Sequence, residues 1–298
     1  MSGMFVHNLQ LGARSLRKNP VLTALMVMAI GFGVAASMIT YAVFRAVSGD
    51  PIPQKSSRLF VPMIDNRGPQ YNNAGEPPDA LNYTDAVALM KAHQAKRQTV
   101  LFAVRLSVLP EDARKAPFKV PGYAATGDFF PMFDVPFQYG SGWSAADDDA
   151  HAPVIVISRS LNQKLFGGAN SVGKEIVLDD QQYRIVGVAD QWDPKPRFFD
   201  MFSGNAYSEP SQVYVPFNRA MDLKIETAGN NNCGGGGKRG DDRESWLRGQ
   251  CVWISPWVEL SSATEVERYR QFLASYADDQ RRAGRFNWAP NVRLRDVP

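Results

Sequence analysis

The uncharged, largely apolar run over residues 21–44 constrains the fold more than any other feature. Its 24 residues include no Asp, Glu, Lys, Arg or His. As a helix rising about 1.5 Å per residue, the run would extend roughly 36 Å, which exceeds the roughly 30 Å hydrocarbon core of a bilayer. The run therefore predicts a transmembrane helix over residues 20–47, preceded by an amphipathic lead-in over residues 1–19.

The charges around this run predict its orientation. Arg14, Arg17 and Lys18 precede it, and Asp50 is the first acidic residue of the chain. By the positive-inside rule, the N-terminus should lie in the cytoplasm and the rest of the chain outside it. Residues 1–50 hold four of the 33 basic and one of the 30 acidic residues, so the remaining 248 residues hold 29 of each. This balance leaves no excess of positive charge for a basic face on the rest of the chain. We therefore expect no nucleic-acid partner.

A cleaved signal peptide is the alternative interpretation of the run. Ala46 and Ser48 are small residues at the spacing of a cleavage site. The apolar region of a signal peptide is usually only about 7–15 residues long, however, and Arg45 adjoins the cleavage position. These features favour a retained anchor, for which membrane lipid is an obligatory partner.

Small residues recur along the predicted membrane helix. Ala29, Gly33 and Ser37 are spaced four residues apart and therefore share one face of a helix. Small residues at this spacing allow helix backbones to approach closely inside a bilayer. We expect this face to pack against another membrane helix.

Residues 48–298 alternate between strand-like and helix-like patterns and predict an α+β domain. The segments 58–133 and 251–298 should pack together, and residues 134–250 should form a β-rich insertion into layers of βαβ type. Residues 227–249, rich in glycine and charge, predict a mobile surface loop. Strands are predicted at 58–64, 99–109, 118–125, 153–157, 174–178, 182–189, 212–217, 252–260 and 291–296, and helices at 82–94, 158–166 and 262–283.

The two cysteines of the chain, Cys233 and Cys251, flank that loop. If the domain lies outside the cytoplasm, its compartment is oxidising and a disulfide between them is expected. Two unpaired thiols are the alternative.

Several short motifs suggest chemistry but lack the context that it requires. Residues 168–174 match the GxxxxGK of a phosphate-binding loop, but Glu175 stands where Ser or Thr should follow, and a strand follows instead of a helix. The aspartates 147–149 with His151 are predicted to be a solvated turn because three adjacent carboxylates cannot all ligate one cation. Asp179 and Asp180 should lie at a hydrated hairpin tip. The glycines 234–237 before Lys238 precede no helix that could bind an anion.

The sequence contains no GxSxG, HExxH or CxxC motif, and its three histidines are scattered. No nucleophile and base occur at a familiar spacing, so a tethered hydrolase is disfavoured. We therefore expect no catalytic residue, no cofactor and no metal site.

The order of the motifs resembles the permeases of MacB-type ABC transporters, which are related to FtsX and LolC. Asn19 and Pro20 open the membrane helix as in that family, and residues 122–130 (GYAATGDFF) and 153–166 (PVIVISRSLNQKLF) follow in the family's order. Residues 167–189 resemble its F-G-x-x-x-P-[IL]-G-K motif and the hairpin after it, with Gly173 and Lys174 as turn formers. The family's proline is absent, because Ser171 and Val172 precede Gly173.

The resemblance implies a non-catalytic permease component with an extracytoplasmic core domain that transmits conformational change outward. It implies as partners an ABC ATPase in the cytoplasm, a second permease in a homodimer or heterodimer, and a periplasmic adaptor. The expected location is the bacterial inner membrane. Three further membrane helices should follow Pro298, so we expect this chain to be the front of a longer permease. A membrane-tethered binding or sensor domain without transport activity is the alternative function.

Overall fold

The chain, in a computed structural model, forms two compact units, Met1–Gly49 and Asp50–Pro298. The structure describes residues 16–47, 49–68, 75–110, 116–204, 207–233, 242–285 and 287–297, together with residues 4, 7, 12, 14 and 114. Much of the predicted lead-in over residues 1–19 lies outside the described residues.

The first unit contains the helix α1, Pro20–Val47. Its stretch Pro20–Arg45 is long and apolar enough to cross a membrane. The hydroxyls of Ser37 and Thr40 donate to the carbonyl oxygens of Gly33 and Ala36, each at 2.9 Å. Both hydroxyls therefore find their hydrogen-bond acceptors within the helix itself, as polar groups in an apolar segment must.

The second unit is a mixed sheet with helices, which confirms the predicted α+β class. Predicted elements agree with observed ones to within three residues at each end, but β4, α3, α4, α6 and α7 were not predicted. In the described residues the strands are β1 Leu59–Ile64, β2 Arg97–Leu109, β3 Phe118–Ala125, β4 Phe137–Gly140, β5 Val154–Ser158, β6 Glu175–Leu178, β7 Gln181–Ala189, β8 Val213–Pro216, β9 Ser255–Glu259 and β10 Val292–Asp296. The helices are α2 Tyr83–Ala92, α3 Phe129–Met132, α4 Ala145–Asp149, α5 Arg159–Phe166, α6 Phe217–Asp222, α7 Arg243–Arg248 and α8 Ala263–Arg282.

All ten strands belong to one sheet, in the order β10-β1-β9-β2-β3-β8-β5-β7-β4, with β6 paired to β2 and β7. The pairs β3–β8 and β5–β7 are parallel and the other pairs are antiparallel. Strands β4 to β8 come from the segment 134–250 and extend the sheet formed by the two ends of the domain. The β3–β8 and β2–β6 pairs therefore join the two parts of the sheet.

Both faces of the sheet are buried, which explains its long apolar runs. Along β2, Phe102 packs in the core on one face and Leu101 in the core on the other. The first core includes Leu273 of α8, and the second is rich in aromatic residues, with Tyr123 among its members. Successive side chains of a strand point to opposite faces, so one apolar run supplies both cores.

The predicted loop over residues 227–249 contains a helix. Asp242 caps α7 through the backbone N–H of Ser245 at 2.8 Å, and Trp246 of this helix is 3% exposed. Its ring stacks on Trp253, with centroids 4.6 Å apart. The prediction of a mobile loop is wrong for residues 242–249, because apolar packing anchors them. The candidate glycines 234–237 and Lys238 lie outside the described residues.

A disulfide joins Cys233 to Cys251 beside this helix. Cys251 is buried, and the neighbouring residues Asn232 and Val252 exchange backbone hydrogen bonds of 3.0 and 2.9 Å. The disulfide and this bridge therefore tie the two ends of the segment together.

Glycine is required where β3 meets β8. A Cβ atom on Gly122 would lie 2.1 Å from the backbone oxygen of Val213, so we expect Gly122→Ala to lower the free energy of unfolding by about 2–3 kcal/mol. Denaturant unfolding followed by tryptophan fluorescence would measure this change. Lys119→Ala, on an exposed position of the same strand, is the control and should change stability by less than about 0.5 kcal/mol.

Candidate functional site

A cleft of about 1080 Å³ opens in the second unit between α2 and the segment 126–149. Its volume is in the range of sites that enclose an organic molecule. The residues that line and define the cleft are Tyr83, Val87, Met90, Lys91, His93, Gln98, Val100, Thr126, Gly127, Asp128, Phe130, Pro131, Asp134, Val135, Phe137, Ser141, Gly142, Trp143, Ser144, Ala145, Asp148, Asp149, His151, Phe217 and Asn218.

Helix α2 forms one wall of the cleft. The side chain of Asn82 caps its N-terminus by accepting from the backbone N–H of Asp85 at 2.8 Å. His93 ends the helix in a left-handed conformation, with φ of 47°. Between these ends, Val87 and Met90 line the cleft while Leu89 enters the core.

The opposite wall depends on α4, where Ser144 and Asp147 form a capping box. The next residue, Asp148, is buried and accepts from the backbone N–H of Gly127 at 2.6 Å and from Trp143 Nε1 at 2.8 Å. The prediction of a solvated turn over residues 147–149 is therefore wrong for Asp148. Its carboxylate ties α4 to the loop before α3.

Aromatic rings fill the space behind this wall. Phe130 meets Trp143 edge to face, with centroids 4.7 Å apart, and Phe137 at 5.5 Å. Gly142 permits this packing, because a Cβ there would lie 2.3 Å from the Phe130 ring. The cleft therefore presents flat apolar surfaces that suit an apolar or aromatic ligand.

The charges of the cleft are mostly negative. Its lining includes the carboxylates of Asp128, Asp134, Asp148 and Asp149 against the single ammonium of Lys91. Burial favours the neutral form of Asp134, but Lys55, at 2.5 Å, reverses this effect and lowers the pKa of that carboxyl. The remaining imbalance favours a cation in the cleft.

Gln98 is the most buried amide of this lining and is 5% exposed. Its backbone N–H donates to Asp128 Oδ2 at 3.0 Å, and its side-chain Nε2 donates to the carbonyl oxygen of Met90. Its Oε1 has no hydrogen-bond partner among the described residues. A buried acceptor without a partner is costly, so a ligand that supplies a donor would be stabilised here.

Three hydroxyls of the cleft lining form hydrogen bonds with neighbouring residues. The hydroxyls of Thr126, Ser141 and Ser144 contact the hydroxyl of Thr99, the carbonyl oxygen of Gly142 and the carboxylate of Asp147. The hydrogen bonds of these described hydroxyls thus do not reach a histidine that could serve as a base, as nucleophilic catalysis requires.

Asp148 should make the stability of the domain depend on pH. Burial, the largest effect, raises the pKa of Asp148 to about 6. Because the folded state then binds a proton more tightly than the unfolded state, the contribution of this group falls as pH rises from about 4 through about 6. One pKa unit corresponds to about 1.4 kcal/mol, so the full change should be about 3 kcal/mol.

Denaturation at pH 4, 5, 6 and 7 would test this dependence by comparison with Asp148→Asn. The stability difference between the wild type and this variant should decrease across that range and stay constant above pH 7. Asp180→Asn, an exposed substitution with the same loss of charge, serves as the control. A parallel pH profile for the wild type and Asp148→Asn would contradict the assignment.

The GxxxxGK-like segment forms a turn between α5 and β6. Gly173 adopts φ of 86°, and its N–H donates to the carbonyl oxygen of Ile185 at 2.8 Å. Asp179, at the tip of the β6–β7 hairpin, accepts from the backbone N–H of Ser107 at 2.8 Å. This bond docks the hairpin on β2, while Asp179 and Asp180 are both exposed, in agreement with the predicted hydrated tip. His151 of the predicted aspartate cluster contacts Asp222 of α6.

The predicted membrane residues lie in the first unit. Ala29, Gly33 and Ser37 lie on α1 and are exposed. Arg14, Arg17 and Lys18 are exposed in helical backbone before it. Of the predicted site residues, the structure brings together Cys233 and Cys251. Sequence reasoning missed the cleft, because its walls are separated along the chain and carry no recognised ligand-binding motif.

The chain combines one N-terminal helix that is long and apolar enough to cross a membrane with an α+β domain. The model of the MacB-like periplasmic core domain family matches residues 23–269. The chain belongs to this family, whose members are components of ABC transporter permeases.

Relatives and solved structures agree with this family. The macrolide export ATP-binding/permease protein MacB of Salmonella typhi is 26% identical over 200 residues, which are 67% of this chain and 28% of the relative. The pyoverdine export ATP-binding/permease protein PvdT of Pseudomonas aeruginosa is 34% identical over 61 residues, or 20% of this chain and 9% of the relative. The chain thus spans less than a third of the length of these relatives.

Two crystal structures share the fold. The periplasmic region of MacB from Actinobacillus actinomycetemcomitans has a TM-score of 0.50 and 13% identity, covering 85% of this chain and 94% of that one. A domain of a permease protein from Porphyromonas gingivalis, described as putative, has a TM-score of 0.50 and 17% identity, covering 82% and 92%.

Proposed function

We propose that this chain is the permease subunit, or its N-terminal part, of a MacB-like ABC transporter. The observation that carries the proposal is the family match over residues 23–269, which includes most of α1 and of the domain after it. The domain transmits conformational change to the periplasmic side and catalyses no reaction. ATP is hydrolysed by an ABC ATPase partner in the cytoplasm.

The arrangement of the chain follows from this proposal. Residues 1–19 form the cytoplasmic lead-in, residues 20–47 cross the inner membrane, and residues 48–298 form the periplasmic core domain. A continuous sheet packed on both faces suits this role, because a packed element moves as a body and does not deform gradually. The disulfide is consistent with an oxidising compartment.

The proposed partners are those of a transporter. The face of α1 with Ala29, Gly33 and Ser37 packs against a membrane helix of a second permease, identical or different, since small residues allow close backbone approach. A periplasmic adaptor binds the outer domain, and lipid surrounds the rest of the helix.

An ATPase assay on the purified full chain tests the non-catalytic role. We expect no hydrolysis above that of a mock purification, and hydrolysis that copurifies with the chain through successive columns would refute the proposal. Sequencing the DNA after codon 298 is the complementary test. Three hydrophobic runs beside an ATPase gene are expected there.

The orientation predicts a labelling pattern in cells. Ser57, exposed and soon after α1, should as Ser57→Cys react with a membrane-impermeant maleimide once the outer membrane is permeabilised. Ser2→Cys should react only after lysis, because the basic residues before α1 keep the N-terminus inside. The unsubstituted chain, with both cysteines in the disulfide, is the control and should stay unlabelled. The reverse pattern would contradict the orientation.

A membrane-tethered binding or sensor domain is the second candidate, and the cleft is the observation that favours it. The two candidates differ in their dependence on an ATPase. If the DNA lacked both the hydrophobic runs and a neighbouring ATPase gene, the binding role would replace the transport role.

A further inference from the structure

We propose that the cleft binds an organic cation with an apolar, aromatic body. This site goes beyond the coupling role, because transmitting motion through the domain requires no small molecule in it. Three independent features of the cleft lead to this ligand: its charge, its aromatic surfaces and its buried acceptor.

The charge of the cleft selects a cation. Four carboxylates and one lysine line it, and only Asp134 among the four has an ion pair with a described lysine, Lys55. Asp149 is exposed at the mouth, and Asp128 lies deeper beside Gln98. The C-terminal residues of α2, Met90 and Lys91, also line the cleft, and a helix C-terminus carries a partial negative charge.

The aromatic surfaces select the body of the ligand. Tyr83 and Phe137 contribute partly exposed rings to the lining, and the buried rings of Phe130, Trp143 and Phe217 lie beneath them. Such rings bind flat apolar groups through dispersion, and their negative faces attract organic cations. A small inorganic cation would gain nothing from them, because it binds best to several oxygens at once.

Gln98 provides a second, independent indication of a ligand. The contact of its Nε2 with the Met90 carbonyl oxygen fixes the orientation of the amide, since the reversed amide would place two oxygens together. Its Oε1 is then a buried acceptor without a partner in the described residues. An ammonium N–H or a hydroxyl of the ligand would satisfy it.

Binding of rhodamine 6G, a cationic xanthene dye, to the full chain in phosphatidylcholine nanodiscs tests the proposal. Fluorescence polarisation should rise saturably with protein concentration. Fluorescein, an anionic dye on the same ring system, should bind at least about tenfold more weakly, because it would face the carboxylates. Equal binding of the two dyes would overturn the proposal.

Two variants locate the bound dye. Val87→Trp should fill the cleft and abolish saturable binding, whereas Lys96→Trp, on an exposed position outside the cleft, should bind as the wild type does. The double variant Asp128→Asn/Asp149→Asn should weaken rhodamine binding by about tenfold. Its control, Asp180→Asn/Asp279→Asn, removes two exposed charges elsewhere and should have no effect.

Thermal unfolding shows whether Val87→Trp loses dye binding because the cleft is filled or because the domain is misfolded. Val87→Trp should unfold within a few degrees of Lys96→Trp; if it does not, the charge variants decide the outcome. Binding that is unchanged in Asp128→Asn/Asp149→Asn, or absent from the wild type, would refute the site. Neither result affects the proposed coupling role, which the ATPase assay and the downstream DNA test separately.

Discussion

Replacing Arg285 with alanine should lower the free energy of unfolding by about 3–4 kcal/mol, because it leaves a buried charge without its partner. Arg285 Nη1 lies 2.7 Å from Asp85 Oδ1, and Asp85 is fully buried. Tyr276 donates its hydroxyl to the same oxygen at 2.7 Å. Removing the guanidinium leaves the carboxylate with one neutral side-chain donor in a region of low dielectric constant.

The protonation of these groups supports this expectation. Burial by itself lowers the pKa of Arg285, but the hydrogen bond and charge of Asp85 outweigh it, so the net pKa is raised. The pKa of Tyr276 is also raised, mainly by burial and then by the Asp85 charge. Both groups therefore remain protonated and donate to Asp85 at neutral pH.

The loss should be measured by urea unfolding of the full chain in detergent. Arg282→Ala is the matched control, because Arg282, the last residue of α8, makes its ion pair with Asp278 at the surface. Its loss should lower the free energy of unfolding far less than the loss of Arg285 does. Adding Asp85→Asn to Arg285→Ala should recover part of the stability, since the buried charge is then gone. Equal effects of the two arginine substitutions would contradict this account.

The Asp85–Arg285 pair also anchors α2, which forms one wall of the cleft. Asp85 lies in the first turn of α2, which forms one wall, and Arg285 follows α8. Arg285→Ala should therefore weaken binding of a ligand in the cleft as well as stability, whereas Arg282→Ala should change neither.

Removing the disulfide is the second large effect. Cys233→Ser/Cys251→Ser opens a loop with a sequence separation of 18, and the chain-entropy model predicts a loss of about 3 kcal/mol. The double substitution avoids leaving a reactive thiol beside the fold. The loss should appear as a lower urea midpoint and an earlier thermal transition.

Reduction provides the control for this prediction. Wild-type protein in a phosphine reductant should become as unstable as the double variant, and the variant should not respond to the reductant. Mass spectrometry under non-reducing conditions should find Cys233 and Cys251 linked in protein purified without reductant. A free thiol at either position would exclude the disulfide.

Much of the fold could be predicted because its signals are local. The run RLFVPMI predicted β1 and the pattern from Ser262 predicted α8, since burial of a strand or a helix face repeats with a fixed period. Ser158 and Gly167 marked the ends of α5, where a side-chain cap and a left-handed residue satisfy the helix termini. Short elements such as β4 and α4 were missed, because four or five residues are too few to show a period.

The sequence by itself determined a helix long and apolar enough to cross a membrane, the α+β class and the family, because each rests on apolar length, periodicity or motif order within short stretches. Only the tertiary structure decided that Asp148 is buried, that Asp85 meets Arg285 and that α2 faces residues 126–149 across a cleft. These relations join residues far apart in the sequence, and burial and charge pairing are properties of neighbours in space. The cleft is therefore a property of the folded sheet and its helices, which no single segment encodes.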